Sequence, residues 1–119
     1  MRTIASNPDK KYSNEAYIQA YVTFMTTPGS HNDTYASTCH RMFFANYVKG
    51  KAPQNCADND GHNTDAIDAL TLTIPVIAAT VTQDGPSDDV RKAAREVMSI
   101  NRKSRVLGEY VDIYADMLS

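Results

Sequence analysis

Apolar positions recur along this chain at helical spacing rather than in the alternation of strands. Tyr17, Ala20, Tyr21 and Phe24 mark the inner face of a helix predicted from Asn14 to about Met25, with Ser13 as its cap and Glu15 in its first turn. Thr26-Thr27-Pro28-Gly29-Ser30 stops it, because proline and glycine together do not continue a helix. His31-Asn32-Asp33-Thr34 offers caps for a second helix from Tyr35 to Val48, where Tyr35, Cys39, Met42, Phe43, Asn46 and Tyr47 form an amphipathic stripe. Gly50 closes that helix. After the turn Thr82-Gln83-Asp84-Gly85-Pro86, Ser87 caps a helix that turns Val90, Ala93, Ala94, Val97 and Met98 inward. A last helix sets Val106, Tyr110, Ile113, Tyr114 and Met117 on one face, with its tyrosines read as core residues.

The most apolar run lies between these elements, and the rest of the chain is organised around it. Ala66 to Val81 is apolar on nearly all sides, as a buried helix with several neighbours would be. Asn63 or Thr64 can cap it, and Asp65 and Asp68 suit the positive end of its dipole. Leu70-Thr71-Leu72-Thr73-Ile74 also alternates like a strand, but Pro75 would break a ladder there, whereas in a helix it produces a kink near Thr71. The expected fold is all-α, with about five helices packed round a central, buried, Pro-kinked helix. Residues Met1 to Tyr12 are polar, with a turn at Asn7-Pro8-Asp9.

A length of 119 residues limits the chain to one domain. The net charge of −2 lacks the basic excess that a general nucleic-acid binder needs. No apolar run spans a membrane without interruption, and Met1-Arg2-Thr3-Ile4 does not open a secretory signal. Two cysteines, Cys39 and Cys56, could make one bridge, but nothing else suggests an oxidising compartment, and a reduced, cytoplasmic protein is the expectation. They do not make a metal site with His40 and His62, because the spacings follow no zinc pattern and Cys39 and His40 point about 100° apart on a helix. The acidic loop is no calcium loop either. Placing Gly61 sixth puts Cys56 first, where an aspartate is required.

Three stretches together resemble the ADP-ribosylglycohydrolase superfamily, and its J-crystallin-like branch in particular. They are Met25-Thr26-Thr27-Pro28-Gly29-Ser30-His31-Asn32-Asp33-Thr34-Tyr35, Cys39-His40-Arg41-Met42-Phe43-Phe44-Ala45-Asn46, and Asp58-Asn59-Asp60-Gly61-His62-Asn63-Thr64-Asp65-Ala66-Ile67-Asp68. The resemblance implies an all-helical, magnesium-dependent enzyme that hydrolyses the bond between ADP-ribose and an acceptor. It implies ligand contacts from the loop Gly61, His62, Asn63, Thr64 and Asp65, where exposed N–H groups before a helix suit a pyrophosphate. It also sets Asn101 where many members carry a ligand-touching histidine. The family's metal-binding Gly-Asp, Thr-Asp-Asp and Asp-x-Asp-Thr/Ser signatures are missing from residues 1–119. The expectation is therefore the middle segment of a larger domain, inactive alone, with no catalytic or metal-binding residue of its own and magnesium belonging to the complete domain. The last helix running to Ser119 with no stop signal fits that truncation. An ADP-ribose-type ligand is the expected partner, together with a second copy or the rest of the domain. The alternative is a non-catalytic, crystallin-like structural protein or a partner-binding fragment.

Overall fold

The computed structural model describes residues 2–59, 61, 64–82 and 87–119. These residues form α1 (Arg2–Ser6), α2 (Asn14–Thr26), α3 (Thr38–Tyr47), a 3₁₀ turn (Pro53–Asn55), α4 (Asp68–Thr71), α5 (Ile74–Val81), α6 (Ser87–Ser99) and α7 (Arg105–Leu118). No strand occurs among the described residues, so the all-α expectation holds and the strand alternative for Leu70 to Ile74 does not. The short α1 was not legible as a helix. It lies in a polar stretch and is tied down by one buried side chain, Ile4.

Three apolar clusters make the interior. Ala69, Ile77, Val90, Ala94, Met98, Leu107, Val111 and Ala115 join α4, α5, α6 and α7. Ile4, Val76, Ala93, Val97 and Ile100 join α1, α5 and α6, with Tyr17, Ile18 and Tyr21 of α2 packed against them. Val22, Phe43 and Cys56 join α2, α3 and the loop after the 3₁₀ turn. Both α5 and α6 feed two clusters. Adjacent Ala93 and Ala94 let α6 present close-packing surface to each, while Asp88, Lys92 and Arg95 point outward.

The run predicted as one kinked helix is two short ones. Pro75 sits in the first turn of α5, where its missing N–H costs nothing. Upstream, the Thr71 and Thr73 hydroxyls donate to Asp68 O and Leu70 O, each at 2.6 Å, and Leu72 and Thr73 turn the chain between the helices. Thr73 is fully buried, and its carbonyl accepts from Val76 N and Ile77 N at 3.0 and 2.9 Å. Helix α4 starts only at Asp68, later than predicted, and receives no side-chain cap.

Other expectations divide cleanly. Ser13 caps α2, accepting from Ala16 N at 3.2 Å, and Gly50 follows α3 with φ +87°. Yet Ser37, not the His31–Thr34 stretch, precedes α3, and Tyr35 lies outside the helix and exposed. In α2, Val22 is buried, while Phe24 and Ala20 are exposed. All five predicted core positions of α6 are buried. Of the face chosen for α7 only the half-buried Tyr114 packs against the core; Leu107, Gly108, Val111 and Ala115 are the buried positions.

Candidate functional site

The loop after α3 is anchored from beneath before it reaches the surface. Cys56 is fully buried, and its thiol lies 3.5 Å from Lys51 O and 3.4 Å from Ala52 O. Burial pushes that thiol's pKa up, against the opposing field of Lys51. The buried Asn46 amide donates to Cys56 O at 3.0 Å and to Asp58 Oδ2 at 3.1 Å. This bond, with a second from Asn59 N, holds the Asp58 carboxyl below the usual range.

Above the anchor, Asn59 organises the turn. Its Oδ1 accepts from Gly61 N at 2.7 Å and from the Thr64 hydroxyl. Gly61 has φ +80°, a backbone state open to glycine at little cost. Across from the loop, Ser104 caps α7 by accepting from Leu107 N at 3.0 Å, and it donates to Asp65 Oδ1 at 2.5 Å. Asn59 Nδ2 reaches Lys103 O at 3.4 Å. Between these walls opens a groove of about 490 Å³. Asn59, Gly61, Thr64 and Asp65 form one side, and Lys103, Ser104 and Arg105 the other.

Of the sequence-predicted contacts, Gly61, Thr64 and Asp65 therefore line one groove. His62 and Asn63 fall outside the described residues. Thr64 and Asp65 are not the cap and first turn of a helix, because their side chains are turned to Asn59 and Ser104. Asn101 is elsewhere. It is buried where α6 ends, with Nδ2 3.4 Å from His40 Nδ1, and Tyr21 Oη lies 2.6 Å from that same ring nitrogen. Asn101 Oδ1 has no hydrogen-bond partner among the described residues. The neighbouring Arg102, also buried, reaches Asp68 Oδ2 at 2.6 Å. Burial, then Arg102, lowers the His40 pKa, with Asp68 opposing. Burial likewise raises the Tyr21 hydroxyl, against a hydrogen bond from Asn101.

Reasoning from sequence missed the second wall. Residues Ser99 to Ser104 read as a polar, basic link, yet Lys103 and Ser104 complete the groove. The available signal was Ser104 itself, a capping residue just before an apolar-periodic run.

The groove can offer the Lys103 ammonium group to a polar ligand, whereas the Gly61 N–H and the Thr64 and Ser104 hydroxyl protons are already given to Asn59 and Asp65. Of the nearby carboxylates, Asp65 accepts from Ser104 and Asp68 from Arg102, and no cluster of three or more metal-ligating side chains occurs among the described residues. Cys39 and Cys56 are both free thiols. No helix among the described residues is long and apolar enough to cross a membrane. The chain matches no profile of a known protein family, and neither a curated protein nor a solved structure matches it significantly.

Proposed function

We propose that this chain is the ligand-facing segment of an ADP-ribosylglycohydrolase-like domain, and that its groove takes the phosphate-bearing part of an ADP-ribose-type ligand. One observation carries the reading. Gly61, Thr64 and Asp65, assigned to the ligand by the sequence resemblance, line an open groove facing Lys103 and the amino end of α7. A positive helix end beside an ammonium group favours a pyrophosphate, and 490 Å³ lies within the range of small-molecule sites. The segment binds without turning over its ligand, because magnesium and its carboxylates belong to other parts of the complete domain.

Thermal melts and isothermal titration with ADP-ribose test this. A hundredfold excess over the dissociation constant stabilises the fold by about 2.7 kcal/mol, and Lys103→Ala reduces the shift. Absence of both heat and a melting shift removes the proposal. The second reading, a crystallin-like structural protein without ligand, draws on the same loop. Thr64 and Asp65 are both engaged within the protein, and Asn101 is buried away from the groove. It requires a cooperative melt that ADP-ribose leaves unmoved.

A further inference from the structure

Helix α7 carries two apolar faces, and the protomer covers only one. Leu107, Val111 and Ala115 are buried, whereas Val106, Tyr110, Ile113 and Met117 are 39%, 58%, 57% and 76% exposed. These four follow one another at steps of four, three and four, the seam spacing of paired helices. Together they offer on the order of 500 Å², taking roughly 150–250 Å² for a large side chain. That is near the upper end of what a monomer leaves open. With its rim, the stripe approaches the roughly 800 Å² per partner of a standard interface.

The charges beside the stripe are already neutralised. Glu109 pairs with Arg105, Asp112 with Arg95 and Asp116 with Arg91. Such a rim has no net charge with which to select an oppositely charged partner, and none with which to repel a surface like itself.

We propose that a second copy of the chain covers this stripe, the two α7 helices packing antiparallel about a two-fold axis. That arrangement sets Tyr110 against Ile113 of the second copy and Val106 against Met117, and it opposes the two helix dipoles. The inference does not rest on the groove. Of the stripe residues only Val106 also borders the groove, so the seam variants at Ile113 and Met117 test pairing without altering a groove residue.

Sedimentation equilibrium of the full chain over a wide concentration range tests it. The mass is expected to rise from the 13.1 kDa of one chain toward twice that value and to stop there. Ile113→Glu places a charge at the centre of the seam and raises the dimer dissociation constant by roughly a hundredfold or more. Met117→Glu, one turn on and further exposed, does the same and guards against a folding defect at position 113, with helicity read by circular dichroism. Ile74→Glu, on an exposed side of α5, leaves the dimer intact. A single-chain mass at every concentration overturns the proposal. So does a dimer indifferent to both seam variants, or growth beyond two copies.

Discussion

His40 stands where four polar groups converge: the Tyr21 hydroxyl, the Asn101 amide, the Arg102 guanidinium and the Asp68 carboxylate. Burial makes a charge on its ring costly, and Arg102 beside it adds to that cost, which is why its pKa lies below the ordinary 6.5. The sign for stability follows. As pH falls below 6.5, the unfolded chain takes up this proton before the folded one does, so stability drops until pH passes the folded value. At higher pH the group contributes no slope. Urea unfolding at about pH 7 and about pH 5.5 should show a loss for the native chain that His40→Gln lacks. Equal slopes in the two proteins would assign the acid sensitivity to other groups.

At the level of elements, legibility depended on how many faces of a helix are apolar. Helix α6 has one polar side, and its five inward residues could be read directly from spacing. Helix α7 is apolar round most of its circumference, and the bulkier stripe of Tyr110 and Ile113 drew the choice. Packing selected the opposite face, where Leu107, Val111 and Ala115 meet α6 and the guanidinium of Arg95 lies over Gly108. No periodicity encodes that choice. The break at Leu72 and Thr73 was anticipated as a kink because Pro75 is visible, but not the paired threonine bonds that complete it. For the groove, the loop wall was legible through its glycine and polar side chains. The α7 wall was not, since it is brought there by tertiary structure. The two helix caps give a test at this scale. Ser13→Ala and Ser104→Ala should each cost about 1 kcal/mol in denaturant unfolding. Only Ser104→Ala also releases Asp65, so only it should weaken the ADP-ribose response. An equal effect of both variants on that response would detach the groove from the α7 cap.

Across the whole molecule, the three clusters are unequally tied. The first two share α5 and α6, so disturbing one strains the other. The third meets the second through Tyr21, whose ring lies 5.0 Å from Phe43 and 5.5 Å from Phe44. Helix α3 therefore depends on Phe43 and the surrounding rings, whereas α6 is packed on two sides. Native-state hydrogen exchange should find α3 opening at a lower free energy than α6. Phe43→Ala should lower α3 protection further, with an overall loss of about 3–5 kcal/mol. Identical opening energies for the two helices would mean that the clusters unfold as a single unit.

The joint at Thr73 has a consequence for how this scaffold can change. Its buried threonine belongs to the interior, and the groove's loop wall itself lies upstream of it in the chain. Substitutions that alter the length, charge or curvature of that loop need not be transmitted into α5. The shape and charge of the groove can thus drift while the helical frame stays as it is.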